Sequence, residues 1–265
     1  MSVKALFNLT GKTALITGGS RGLGLQMAEA LGEMGARLAI TARKSDELAE
    51  AKAHLQGLGY QVETFTNDLQ KFDTIPALVD DVLARCGDID ILVNNAGAAW
   101  GVPFEEFPES GWDKVMDLNV KSPFFLTQAL HGLLKAAGTP GRPAKVINIT
   151  SIDGQRLNPW ETYSYHASKS ALIYLTKRMA ARLVRDHVNV TSIAPGAFAS
   201  DMNKAARDHG DDVAQGIPAG RIGTDEDMAG AAIYLASRAG DYVIGETITV
   251  DGGLVHAALG TSIDA

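Results

Sequence analysis

The stretch "TALITGGSRGLGLQMAEALGEMGARLAIT" (residues 13–41) holds a complete strand–turn–helix–strand unit. Its two ends, "TALIT" (13–17) and "RLAIT" (37–41), are short and largely apolar, as strands buried on both faces should be. Between them Leu23, Met27, Leu31 and Met34 recur at steps of three and four, which marks one face of a helix, and Gly35 ends it. A strand, a helix and a second strand in so short a length predict a right-handed parallel crossover.

Outward from this unit the same rhythm continues. Strand-like runs stand at "VETFT" (62–66), "IDILV" (89–93), "KVINIT" (145–150), "VNVTSI" (188–193) and "TITV" (247–250). Helical patterns occupy 46–58, 73–86, 112–136, 164–185 and 225–236. Such alternation predicts an α/β, Rossmann-like fold: a doubly wound parallel sheet of seven strands with helices on both faces. It runs nearly end to end without repeat or linker, so we expect one domain over 1–265. Two stretches break it. "AAGTPGRPAK" (136–145) is a Gly/Pro-rich loop, and 199–223 is polar and punctuated by glycine. A segment as long as 199–223 is expected to be a substrate-binding lid, with a surface helix as the alternative.

Composition narrows the function classes. The chain has 265 residues, 46% hydrophobic and 21% charged, with a net charge of −7. No run of Lys or Arg exceeds two residues, so neither a nucleic-acid nor an anionic membrane surface is expected. The N-terminal apolar run is too short for a membrane span or a secretion signal. A single cysteine, Cys86, excludes an internal disulfide and suits a reducing, cytoplasmic setting. The six histidines are scattered, and no metal site is expected.

The turn "TGGSRGLG" (17–24) joins the first strand to the first helix. Gly18, Gly22 and Gly24, with Ser20 and Leu23 between them, allow a tight turn in which main-chain N–H groups and a helix N-terminus face a pyrophosphate. The spacing Gly-x3-Gly-x-Gly departs from the commoner Gly-x-Gly-x-x-Gly, but the placement is that of a dinucleotide site. Sites for the unphosphorylated dinucleotide put an acidic residue near the end of the second strand. Here that strand ends "ITARKS", with Ala42 and Arg43 in its place, and Arg21 lies inside the glycine turn. Two guanidiniums suit a 2′-phosphate, so NADP(H) is the expected cofactor.

The second informative stretch is "ETYSYHASKSAL" (161–172). Tyr165 and Lys169 stand four apart and share a helix face, whereas Tyr163 has Ala167 at that spacing. A lysine beside a phenol favours the phenolate, so Tyr165 is the tyrosine expected to do chemistry.

The glycine turn, "NNAG" (94–97), "LNV" (118–120), "ITS" (149–151), "YHASK" (165–169) and "APG" (194–196) come in the order and spacing of the classical short-chain dehydrogenase/reductase family, which the chain resembles from about residue 9 to "VDGG" (250–253). Within it the chain is most similar to bacterial 3-ketoacyl reductases, including the kind linked to rhamnolipid synthesis, and to gluconate 5-dehydrogenases. The resemblance implies that Tyr165 is the general acid in carbonyl reduction and the base in alcohol oxidation. By the same match Lys169, together with the positive oxidised nicotinamide, lowers its pKa; Lys169 also holds the nicotinamide ribose, and Ser151 donates to the substrate oxygen. Asn119 would support a water leading to Lys169. Taken singly, Ser151 could be a turn cap and Asn119 a turn former. Cofactor contacts implied by the match are Asp68 and Leu69 at the adenine, Asn94, Ala96 and Gly97 along the adenosine ribose, and Pro195, Gly196, Phe198 and Ser200 at the nicotinamide. Phe198 departs from the smaller residue usual there, and Ser200 replaces threonine.

For the substrate, a small carbonyl or alcohol compound, the candidates are Trp100, Ile152, Asp153 and Trp160, with packing under loops as the alternative for the tryptophans. A mostly apolar wall would suit an acyl chain or a ring ketone. The expected activity is NADPH-dependent reduction of a ketone to a secondary alcohol. Oxidation of an alcohol or polyol, or a non-catalytic cofactor-binding regulator, are the alternatives. The resemblance also implies a homo-oligomer, a tetramer or dimer, built on the helices at 112–136 and 164–185 and the last strand, with the C-terminal "GLVHAALGTSIDA" covering a neighbour.

Overall fold

In the computed structural model, which describes residues 2–258, all seven expected strands join one parallel sheet. They are β1 (Thr13–Thr17), β2 (Arg37–Ala42), β3 (Val62–Thr66), β4 (Ile91–Asn94), β5 (Ala144–Ile149), β6 (Val188–Pro195) and β7 (Thr247–Val250). Their order across the sheet is β3-β2-β1-β4-β5-β6-β7. The chain winds outward from β1 to β3, then returns past β1 to start the other half at β4. The strand order reverses there, which opens a crevice beyond the carboxyl ends of β1 and β4.

The helices are α1 (Gly22–Glu33), α2 (Ser45–Gly57), α3 (Ile75–Cys86), α4 (Glu109–Met116), α5 (Ser122–Ala129), α6 (His131–Ala137), α7 (Tyr163–Leu183), α8 (Lys204–Asp208), α9 (Gly210–Ala214) and α10 (Asp225–Ala236). β1, β5 and β6 are buried at every residue, which is why their sequences read as near-continuous apolar runs. Alternate strand residues feed two cores. Ile16, Ile40, Val93 and Ile147 pack with Met27, Leu31 and Met228 on the face covered by α1 and α10. Leu15, Ala39, Leu92 and Val146 pack with Val82, Leu126 and Met179 on the face covered by α3, α5 and α7.

One expected helix is not continuous. The pattern at 112–136 resolves into α4, a wide π turn (Asp117–Lys121), α5 and α6. Asn119 lies in that turn, and its side-chain amide is spent outside the helix, accepting from Ala98 N at 2.8 Å and donating to Ala98 O at 2.9 Å. Pro123, which lacks an N–H, follows at the start of α5. The Gly/Pro-rich loop before β5 has a local cause as well. Gly138 lies directly against the His187 carbonyl, leaving no room for a Cβ.

Lys145 opens β5 with its side chain 6% exposed, and its ammonium donates to Asp241 Oδ1 at 2.7 Å. Burial holds the ammonium below the usual lysine range, and Asp241 opposes that shift. Removing the carboxylate leaves a buried charge unpaired. Asp241→Ala is expected to cost roughly 2–3 kcal/mol and to lower the melting temperature by roughly 5–10 °C. Thermal unfolding followed by circular dichroism measures this, and an unchanged melt would mean that Lys145 does not depend on Asp241.

Candidate active site

The crevice is a groove of about 860 Å³ along the carboxyl ends of the strands. Its floor at β1 is built by the glycine turn. Gly18 and Gly22 have φ of +62° and +52°, a backbone region that side chains disfavour. Gly24 packs beneath the turn, where a Cβ would collide with the Gly18 carbonyl. The turn is tied to the end of β4 by residues on both sides. Thr17 Oγ1 accepts from Asn95 N at 2.9 Å and Ala96 N at 3.0 Å, and Asn95 Nδ2 donates to Thr17 O and Gly18 O at 2.9 and 3.1 Å. Thr41, at the end of β2, lines the groove with a hydroxyl that is buried and has no hydrogen-bond partner among the described residues. A positive-φ glycine turn at a helix N-terminus, with an orphaned hydroxyl beside it, fits a bound dinucleotide.

The opposite wall carries the residues singled out for chemistry. The first turn of α7 presents Tyr165, and one turn later Lys169 lies 5% exposed. Lys169 Nζ donates to Ile149 O at 2.9 Å and sits 5.4 Å from the centre of the Tyr165 ring. Ser151, just past β5, accepts from Asp153 N at 3.1 Å, so it does cap a turn while lining the groove. Tyr163 points elsewhere. Its ring meets Phe104 and Phe107 edge-on at 5.5 and 5.7 Å, so the two tyrosines are separated by which face of α7 they occupy.

The electrostatics differ from the sequence expectation. The Tyr165 phenol is pushed up to about 12, chiefly by burial, with the Asp153 charge adding to the rise and the Ser151 hydroxyl opposing it. Burial pushes the Lys169 ammonium down to about 8, and Asp153 works against this. Both groups leave water together, and desolvation disfavours the charged form of each. The protein's own groups therefore hold the phenol protonated rather than acidifying it.

Most of the expected residues reach the groove, including Ser20, Arg21, Leu23, Arg43, Asp68, Leu69, Ala96 and Gly97 on the adenosine side. Pro195, Gly196, Phe198, Ser200, Ile152, Asp153 and Trp160 reach it on the other. Four do not line it. Gly24 lies under the turn. Asn94 is 3% exposed and donates to Asn148 Oδ1 at 2.9 Å within the core, and the neighbouring Asn95 faces the groove instead. Asn119 sits behind the wall, where it holds Ala98 and donates to Ser168 Oγ at 3.0 Å; Ser168 in turn donates to Tyr165 O at 2.8 Å. Trp100 packs its ring on Gly111, under the Lys114 ammonium, which is the packing alternative given for it. Phe198 is 4% exposed and turns its ring onto Gly223 while still lining the groove. Glu47, from the first turn of α2, lines the groove without any signal in the sequence, and Asp201 lines it from within the expected substrate-binding segment.

No helix of the described residues is long and apolar enough to cross a membrane, and no group of three or more His, Cys, Asp or Glu among them could hold a metal ion. A family model described as short chain dehydrogenase matches residues 12–211. The rhamnolipids biosynthesis 3-oxoacyl-[acyl-carrier-protein] reductase of Pseudomonas aeruginosa is 41% identical over 93% of this chain and 97% of its own length. The Pseudomonas aeruginosa RhlG/NADP active-site complex superposes with a TM-score of 0.91 at 40% identity, covering 94% of this chain and 98% of that one. A gluconate 5-dehydrogenase from Burkholderia cenocepacia, solved with NADP and tartrate, has a TM-score of 0.90 at 36% identity, covering 97% of this chain and all of that one (100%).

Proposed function

Because the chain belongs to the short chain dehydrogenase family, an NAD(P)H-dependent oxidoreductase family acting on carbonyl and alcohol groups, we propose that it reduces a ketone to a secondary alcohol with NADPH. The observation that carries this reading is the wall of the groove where Tyr165, Ser151 and Lys169 converge, across from the glycine turn. A nicotinamide held in this groove would supply the hydride. The chain's residues do the rest. Tyr165 Oη, kept protonated by burial, gives its proton to the substrate oxygen as negative charge develops there. The Ser151 hydroxyl donates a hydrogen bond to the same oxygen. Lys169, fixed by the Ile149 carbonyl, would hold the nicotinamide ribose and relay the replacement proton. Asn119 acts as a positioning residue, setting the Ala98 loop opposite α7.

NADPH is favoured by Arg43, exposed at the end of β2 and free of ion pairs among the described residues. The outer wall includes Ile152, Trp160, Val213, Ile217 and Leu254, which suits an acyl chain or cyclic ketone under a lid formed by 199–223. A second reading, oxidation of a polyol, draws on Asp153, Arg156 and Asn158 in the same wall, which could accept from and donate to hydroxyls. A panel of 3-ketoacyl thioesters, cyclic ketones and polyols, assayed with both cofactors in both directions, separates these. Turnover of ketones, faster with NADPH than with NADH at equal subsaturating concentration, is expected. Equal rates would overturn the cofactor preference, and turnover of polyols alone would establish the second reading. Exposed Trp112, Phe124, Phe125 and Tyr174 on α4, α5 and α7 support a homo-oligomer, and a monomer by gel filtration would overturn that part. The C-terminal residues 259–265 lie outside the described residues.

A further inference from the structure

The adenosine corner of the groove is not purely cationic. Glu47, in the first turn of α2, reaches into it between the glycine turn and the end of β2. Its Oε1 accepts from Lys44 Nζ at 2.6 Å, and its Oε2 lies 3.5 Å from Ser20 Oγ and 3.8 Å from Arg21 Nε. Arg21 is held from the other side by Asp201 Oδ2 at 2.7 Å. Two of the cations that a 2′-phosphate would draw on, Lys44 and Arg21, are thus already paired, and Glu47 is their inward partner, while Arg43 stays unpaired among the described residues. Its side chain is 24% exposed, against 57% for Arg21 and 61% for Lys44.

We propose that Glu47 sets the cofactor preference of this site by competing with a 2′-phosphate for Lys44 and Arg21, and so narrows the preference for NADPH over NADH. The proposal rests on the dinucleotide reading given above. A carboxylate at this point repels a phosphate dianion directly, and it also occupies the two donors that would otherwise turn to the phosphate. The Lys44 hydrogen bond holds the Glu47 carboxyl below the usual carboxylate range, so the repelling charge is present at neutral pH. An unphosphorylated ribose meets no such opposition, because a carboxylate accepts from hydroxyls.

Isothermal titration calorimetry with 2′,5′-ADP and 5′-AMP tests this without turnover. The readout is the ratio of the two dissociation constants, which a loss of structure alone would not shift. Glu47→Gln is expected to move that ratio about tenfold toward 2′,5′-ADP, and Glu47→Asp to stay within about twofold of the unaltered protein. An unchanged ratio in Glu47→Gln, or a shift toward 5′-AMP, would overturn the proposal and make Glu47 a scaffold that orders Lys44 and Arg21 for the phosphate. Should the glutamine variant fold poorly by circular dichroism, Glu47→Ser serves the same comparison. The underlying cofactor reading is judged separately, from the unaltered protein. A ratio there favouring 5′-AMP sinks the NADPH preference, while the change on substitution still decides the role of Glu47.

Discussion

Tyr165→Phe is expected to lower kcat for ketone reduction by about a thousandfold while leaving the binding of NADPH and the melting temperature nearly unchanged. The substitution removes one hydroxyl from a half-buried ring and alters no contact that holds the fold. What it removes is the group placed to protonate the substrate oxygen. Burial pushes that phenol up to about 12, so at neutral pH it is almost wholly protonated and ready to act as an acid. Carbonyl reduction should therefore be flat across about pH 6–7, below the range in which Lys169 loses its proton. The oxidative direction needs the phenolate, so its rate should climb as pH rises. Steady-state assays in both directions over this range, with calorimetry for nucleotide binding, read out each part. Turnover by Tyr165→Phe within about threefold of the unaltered protein would remove Tyr165 from the chemistry.

The fold was legible because its strands are buried on both faces, which leaves apolar runs that nothing interrupts. The glycine turn and the Tyr165–Lys169 spacing were legible because local backbone geometry fixes them. What the sequence hid was decided by contacts distant in the chain. Asn94 and Asn95 are identical in type, and only the direction each faces at the end of β4 sends one into the core toward Asn148 and the other to the glycine turn. The break in the helix at 117–121 follows from Asn119 binding Ala98, a pairing across 21 residues that no helical periodicity encodes. Trp100 read as a pocket residue because it is large and apolar, yet the seat it fills is made by the missing side chain of Gly111. Nothing in the sequence sets Glu47 apart from any acidic residue in a first helical turn, and its meeting with Ser20 and Arg21 depends on how α2 lies against β1 and β2. The phenol's shift depends on burial of Tyr165 and Lys169 together, which spacing alone does not reveal.

That shared burial has a consequence for stability that runs opposite to activity. Lys169 titrates at about 8 in the folded chain because burial disfavours its charge, whereas an exposed lysine titrates at 10.5. Below about pH 8 the side chain is charged in both the folded and the unfolded chain, so the folded state carries the full desolvation penalty, roughly 3 kcal/mol. As pH rises from about 8 to 10.5 the folded chain releases its proton first, and the penalty is relieved. Lys169→Met keeps the apolar stem and discards the charge. It forfeits the hydrogen bond to the Ile149 carbonyl, worth about 1 kcal/mol. The net expectation at pH 7 is a gain of roughly 1–2 kcal/mol and a melting temperature higher by roughly 3–6 °C, with a fall in turnover of at least about a hundredfold. Thermal melts of both proteins from pH 7 to 10.5 should show this gap closing as the unaltered Lys169 loses its proton. A variant that melts below the unaltered protein at pH 7, with no such convergence, would mean that the ammonium is stabilised where it sits. The phenol beside it would then face a settled positive charge, and the account of Tyr165 as a burial-protonated acid would fall with it.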